Sequence, residues 1–313
     1  MAGWSRECFA RRARDPCESR TAEVRVRTHE ISVDPERDIV VKRFVRADRG
    51  EPAREWRALT LLAEHAPGLA PEPIRADLDA NPAVIEMSLL PGEPLGGRPL
   101  TPDQESALVR AMGQLWQSVP VSRVTQVSGE SGNEAQLVSA VAALAVQARD
   151  FGDDPVVHRA TSAGLNWLTW AVGESGGLAG QYSYADPGPD GRRGTGWPGL
   201  ARVFGQGDGN LANFLWDGAM VRIVDFEDSG IADRAFELSI FVEHLSVWSE
   251  IGLDGDEFIR AFELTAAERA RLADCRRLAA LYWLLRLPPG GEKTSDSHPG
   301  MLRPQAERLL ALL

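Results

Sequence analysis

Cysteine is scarce. The 313 residues carry three, Cys8, Cys17 and Cys275. They have no metal-ligand spacing and no companion His cluster, which excludes a zinc site built from closely spaced pairs. An odd, low count also argues against a disulfide framework and fits reduced thiols in a cytoplasm. Long apolar runs are missing as well. No stretch reaches the ~20 residues that cross a bilayer, so no membrane partner is expected. The opening segment, MAGWSRECFARRARDPCESR, is rich in Arg but lacks the apolar centre of a secretory signal. Residues 1–20 read as a mobile segment ahead of the fold. Positive charge is in deficit: 34 Lys+Arg against 45 Asp+Glu leave a net charge of −11. That balance excludes a nucleic-acid-binding surface.

What remains is the composition of an ordinary globular chain, 43% hydrophobic and 25% charged. It is long enough to bury a sizeable core and to form two lobes. No internal repeat is evident. The chemistry concentrates in Val203 to Ser229, VFGQGDGNLANFLWDGAMVRIVDFEDS. Asp208 sits in a Gly-Gln-Gly-Asp-Gly loop, Asn213 follows five residues later, and Asp225 twelve after that. Between them, Asp217-Gly218 joins two apolar runs, a strong short-range signal for a β-hairpin. A hairpin returns the chain to where it started, so Asn213 and Asp225 are expected side by side, with Asp208 arriving from the preceding loop. Oxygen donors converging in this way suit a hard cation such as Mg²⁺, with one carboxylate left for proton work.

The rest of the chain reads as strands first and helices afterwards. Glu23 to Ile31 alternates like a strand, Asp34 to Asp38 turns, and Ile39 to Val45 resumes a strand that carries Lys42. Glu51 to His65 has helical periodicity, with Pro52 in the first turn and Pro67-Gly68 ending it. Two further strands are expected around the turn Ala76 to Pro82, the second at Ala83 to Met87. Thr101-Pro102 opens a helix with a cap and a first-turn proline. Helices are expected at Glu134 to Phe151, Pro155 to Val172, Asp233 to Trp248, Phe258 to Leu264, Ala266 to Leu287 and Met301 to Leu313. Gly173 to Pro198 reads as a long loop, and its Gly/Arg-rich part lacks the strand-to-helix setting of a phosphate-binding motif. From Asp225 to Glu263, eleven Asp and Glu face two Arg. This is either a solvated face or a negative wall that attracts a cationic substrate.

Gln206-Gly-Asp-x-x-x-x-Asn followed by Val-Asp-Phe-Glu resembles the catalytic and metal-binding loops of the aminoglycoside phosphotransferase and choline kinase family, relatives of protein kinases. That resemblance implies an α+β, two-lobed protein-kinase-like fold. Residues 21–90 would form the β-rich nucleotide-binding lobe, and residues 91–313 a helical lobe with the catalytic loop, metal loop and acceptor site. It makes Asp208 the catalytic carboxylate that orients an acceptor hydroxyl, and Asn213 and Asp225 the Mg²⁺ ligands. Lys42 becomes the strand lysine on the nucleotide phosphates, paired with a helix carboxylate, either Glu55 or, one turn earlier, Glu51. Met87, Ser88 and Leu89, in Met-Ser-Leu-Leu-Pro-Gly-Glu, resemble the hinge whose backbone holds the adenine. Gln206, where the family usually has His, and Glu227 are supporting residues.

The implied activity is transfer of the γ-phosphoryl group of ATP or GTP to the hydroxyl of a small molecule, with an aminoglycoside-like or amino-alcohol acceptor suggested by the acidic stretch. Two competing readings remain. One is a catalytically silent relative that binds nucleotide or a partner, suggested by Gln206 and by the lack of glycine from Cys17 to Val26. The other is a helical protein with a coincidental motif.

Overall fold

A computed structural model describes residues 29–47, 49–120, 122–123, 134–146, 153–172, 200–287 and 300–313. The opening segment, most of the first expected strand and the Gly/Arg-rich loop lie outside these residues. The chain divides into two compact units. One comprises residues 1–131, 203–232 and 245–262, the other residues 132–202, 233–244 and 263–313.

The first unit holds the main sheet. Strands β1 (His29–Asp34), β2 (Ile39–Phe44), β3 (Pro73–Asp77) and β4 (Ala83–Ser88) pair antiparallel in the order β1-β2-β4-β3. Pleating sends alternate side chains to opposite faces, and on β2 the inward set is Val40, Lys42 and Phe44, all buried. A lysine in that series is the anomaly, because burying an ammonium among apolar side chains is costly unless anions meet it. Helix α1 (Glu51–His65) follows, with its first residues preceded by left-handed Gly50. Its bounds are those read from periodicity. Helix α2 (Pro102–Ser118) starts at a full capping box, Thr101 and Gln104 each bonding the other's backbone N–H.

The expected hairpin is present as β7 (Phe214–Trp216) and β8 (Val221–Ile223), with Phe214 opposite Ile223. Two short pairings were not foreseen. Strand β5 (Glu93–Pro94) adds to the hairpin edge, and β6 (Arg202–Gly205) pairs with β9 (Gly230–Asp233). The hairpin is tied to α1's exit by Ile223, whose N–H donates to the Leu69 carbonyl at 2.8 Å.

The second unit is helical. Helices α3 (Glu134–Ala145), α4 (Pro155–Ala171), α7 (Ala266–Arg286) and α8 (Leu302–Leu312) enclose a core that includes Val157, Ala160, Leu281 and Leu309. Gly164 permits close packing there, since a Cβ would stand 2.8 Å from Leu281 and 3.0 Å from Leu309. Helix α5 (Arg234–Val242) is joined to α7 by ion pairs, Asp233 with Arg271 at 3.0 Å and Glu243 with Arg276 at 2.7 Å.

The sequence suggested one helix from Asp233 to Trp248. Instead α5 ends at Val242, and Ser246–Glu250 forms a π-helical turn within the first unit. The next helix, α6 (Gly255–Arg260), begins earlier than expected, because Asp254 caps it by accepting from the N–H groups of Asp256 and Glu257. Among the described residues, no helix is long and apolar enough to cross a membrane.

Candidate active site

Lys42 is the centre of the site and is fully buried. Its ammonium lies 2.6 Å from Glu55 Oε2, 2.6 Å from Asp225 Oδ1 and 3.0 Å from Glu227 Oε2. Its fourth side is the Phe44 ring, 4.8 Å from the centroid. Burial opposes the charge, yet the three carboxylates carry the Lys42 pKa well above its usual value. The helix partner is therefore Glu55. Glu51 turns instead to Arg49, 2.8 Å from its Nε.

Glu55 is also fully buried. Burial, with Asp225 and Glu227 close by, pushes its carboxyl up to about 7 despite the lysine. Burial works against the charge on Glu227 too, but His29 and Lys42 hold that carboxyl down at about 2. His29 Nδ1 lies 3.5 Å from Glu227 Oε2.

The second cluster is built by the loop before the hairpin. Asn213 closes a short 3₁₀ turn, Leu211–Asn213, which Asn210 caps. The Asn213 amide donates to Asp208 Oδ2 at 2.9 Å, and the Asn210 N–H donates to Asp208 Oδ1 at 3.0 Å. The turn is held from the π-helical segment, where Ser246 Oγ accepts the Leu211 N–H at 3.0 Å. Asp208 keeps some accessible surface but is enclosed by protein atoms. Burial first, then Asp225 and Asp228, push its carboxyl up to about 7 against the hydrogen bonds from Asn210 and Asn213. A base poised near neutrality is suited to accept a hydroxyl proton.

Gln206 joins the two clusters. Its Oε1 accepts the Asp208 N–H at 2.8 Å, and its Nε2 donates to the Asp225 carbonyl at 2.8 Å. The side chain is buried, so one carboxamide fixes the catalytic-type loop and the metal-type loop at once. The hairpin register continues past the strands, with the Val224 N–H donating to the Asn213 carbonyl at 2.9 Å. Asn213 and Asp225 are thus brought to one end, as their spacing predicts. Asp225 itself adopts φ +65°. Asp tolerates this left-handed conformation better than most side chains, and it marks a point where surrounding structure dictates the backbone.

The hinge-like residues sit on or just beyond β4. Met87 is buried. The Ser88 N–H donates to the Glu72 carbonyl at 2.9 Å, and the Leu89 N–H to the Asp38 carbonyl at 2.7 Å. Both donors are engaged within the protein.

The oxygens of Glu55, Asp225 and Glu227 lie within 4.8 Å of one another, but the Lys42 ammonium already stands among them. Three carboxylates around one ammonium leave an excess of negative charge. The carboxylate of Asp225 and the carboxamide of Asn213 are hard oxygen donors, a set that fits Mg²⁺. Sequence reasoning missed how many anions Lys42 would meet. The only signal was Glu227 in Asp-Phe-Glu, and its contact depends on tertiary convergence.

Comparison with curated proteins finds no match. Solved structures do resemble the chain. A choline/ethanolamine kinase family protein from Mesorhizobium loti aligns with TM-score 0.57 and 17% identity, covering 96% of this chain and 88% of that one. Choline kinase LicA from Streptococcus pneumoniae aligns with TM-score 0.54 and 13% identity, covering 91% and 89%. The GDP and kanamycin complex of APH(2")-IIia aligns with TM-score 0.55 and 16% identity, covering 94% and 92%. At these identities the likeness establishes a shared kinase-like fold. The sequence carries the assignment further: a model of the phosphotransferase enzyme family matches residues 21–275, and the chain belongs to that family.

Proposed function

We propose that the protein transfers the γ-phosphoryl group of ATP or GTP to a hydroxyl of a small molecule. The observation that carries this reading is the link Lys42–Asp225–Gln206–Asp208, in which a buried cation, a metal-type carboxylate and a proton acceptor are joined by contacts of 2.6 to 2.8 Å. Asp208 orients the acceptor hydroxyl and takes its proton as the new O–P bond forms. The bond from the γ-phosphorus to its bridging oxygen breaks, and the nucleoside diphosphate leaves. Lys42 holds the α- and β-phosphates, and Glu55 and Glu227 hold Lys42. Asn213 and Asp225 would bind Mg²⁺, which supplies charge neutralisation between phosphate oxygens when bound. The segment of Met87, Ser88 and Leu89 would receive the base. Positioning and electrostatics account for most of the rate in such transfers.

Similar solved structures include one described as a choline kinase and one solved with GDP and kanamycin, which supports amine-bearing alcohols as the first acceptors to try. The test is nucleotide consumption with Mg-ATP and Mg-GTP over a panel of such alcohols. Wild-type protein is expected to turn over at least one, and Asp208→Asn to reduce kcat by about a hundredfold or more. If no acceptor is consumed and neither nucleotide raises the unfolding temperature in the presence of Mg²⁺, the chain is a silent member of its family.

A further inference from the structure

Arg54 is the neighbour of Glu55 on α1, and successive helical side chains diverge by about 100°. Glu55 reaches Lys42. Arg54 reaches elsewhere, and it is buried. Its Nη1 donates to the Glu227 carbonyl at 2.5 Å, and its Nη2 to the Arg49 carbonyl at 2.7 Å. Asp228 Oδ1 lies 3.7 Å from Nη1. Burial lowers the Arg54 pKa, and Asp228 and Glu51 act against that. A guanidinium stays charged under such pressure and can aim two donors at two carbonyls; an ammonium presents no such fork.

The peptide it grips is a junction. The Glu227 side chain reaches Lys42 at 3.0 Å while its carbonyl is held by Arg54. The next carbonyl, of Asp228, packs so tightly on Gly207 that a Cβ there would stand 2.0 Å from it. Gly207 precedes Asp208. The dipeptide Glu227–Asp228 therefore touches the lysine strand, helix α1 and the catalytic-type loop, two and three residues beyond Asp225.

We propose that Arg54 is a positioning residue: it fixes the Glu227–Asp228 dipeptide to the helix that carries Glu55, and so holds Asp225 in register with the Lys42–Glu55 pair for the metal-bound nucleotide. The proposal rests on the phosphotransfer reading above. It assigns to α1 a second, main-chain connection to the metal loop beside the lysine bridge. Two points favour it over a mere anchor. The contacts run to backbone carbonyls, which set the path of the loop rather than the place of one side chain. The loop also needs an outside hold, since Asp225 is in a conformation that side chains other than glycine rarely adopt.

The experiment compares wild type, Arg54→Met and Arg54→Lys by amide hydrogen exchange without ligand, then by Mg²⁺ titration of nucleotide-induced thermal stabilisation. Exchange in residues 225–229 is expected to accelerate about tenfold in Arg54→Met, while helix α7 in the second unit exchanges at the wild-type rate. Arg54→Lys, which retains charge but only one well-aimed donor, falls between. The Mg²⁺ midpoint is expected to rise about tenfold in Arg54→Met, with the same rank order. Equal exchange at 225–229 in all three proteins overturns the proposal, and so does acceleration that is uniform across the chain. If Arg54→Met does not fold, Arg54→Lys against wild type decides. If wild type shows no Mg²⁺-dependent nucleotide shift, the phosphotransfer reading fails, and the exchange comparison still judges Arg54.

Discussion

Gln206 replaces the family's usual histidine, and its bonds explain why the exchange is tolerable. The loop needs one acceptor for the Asp208 N–H and one donor for the Asp225 carbonyl, and a carboxamide offers both. A neutral imidazole also has one of each. Gln206→Leu leaves two buried groups unsatisfied at about 1–3 kcal/mol each, so its urea midpoint should correspond to a loss of about 2–6 kcal/mol, while Gln206→His retains most of the stability. Equal losses in the two variants would mean that side-chain volume, not the paired bonds, is what the loop uses. Asp208 permits a test of sign. Its carboxyl is raised to about 7 in the fold, so the native state binds that proton more tightly than the unfolded chain does. Stability from this group is therefore present in acid and lost as pH rises from about 4 to 7. Asp208→Asn removes the titration. Unfolding measured at pH 5 and pH 8 should show wild type losing about 2–3 kcal/mol relative to Asp208→Asn at the higher pH. Glu55 shifts in the same direction, but it is present in both proteins and cancels. A pH-independent difference would show that Asp208 is not desolvated.

Among the elements, the loop from Gly205 to Asn210 and the loop from Asp225 to Ser229 are packed backbone to backbone, and Gly207 is where they meet. It combines φ +81° with the 2.0 Å approach to the Asp228 carbonyl. Gly218 at the hairpin tip has φ +99° but open space around it. Gly218→Ala should therefore cost about 1–2 kcal/mol of backbone strain and leave nucleotide stabilisation intact. Gly207→Ala should cost more and abolish that stabilisation, because the loops that carry Asp208 and Asp225 must separate. Thermal unfolding with and without Mg²⁺ and nucleotide distinguishes them. These elements also show what a sequence reveals. Helix Glu51–His65 was legible because periodicity, a first-turn proline and a stop coincide. The hairpin was legible because Asp217-Gly218 sits between apolar runs. Strands β5, β6 and β9 span two to four residues, too few for alternation to register. The π turn at Ser246–Glu250 overlaps the end of the apolar pattern that runs from Asp233 to Trp248, so nothing local announces it. In the site, the inward set Val40, Lys42, Phe44 follows from strand alternation, and the resemblance supplied Glu55 and Asp225. It also named Glu227 as a supporting residue but not its contact with Lys42, and Arg54 was out of reach, because the partners lie 185 and 173 residues away in sequence (227 − 42 and 227 − 54).

At the scale of the molecule, the net charge of −11 invites the idea of a negative surface that recruits a cationic acceptor. The stretch from Asp225 to Glu263 is less available for that than its composition suggests. Asp225 and Glu227 face Lys42, and Asp228 lies 3.5 Å from Arg49. Asp233 pairs with Arg271, Glu243 with Arg276 and Arg308, and Asp254 caps α6. Six of the eleven carboxylates thus serve the fold or the site, and Glu237 is buried as well. The exposed remainder is Glu250, Asp256, Glu257 and Glu263; the first three lie in the first unit, where the π-helical segment also holds the catalytic-type loop through Ser246. Long-range attraction between exposed charges decays over a Debye length of about 30 Å at 0.01 M salt and about 3 Å at 1 M. Contacts within a closed site are screened far less. If this surface recruits an amine-bearing acceptor, KM for that acceptor should rise several-fold between 0.02 and 0.5 M salt, while kcat stays constant. The triple variant Glu250→Gln, Asp256→Asn, Glu257→Gln should show a raised KM at low salt and little further salt dependence. A neutral alcohol acceptor should show neither effect. Equal salt curves for the wild type and the triple variant would place recognition of the amine on groups inside the site instead.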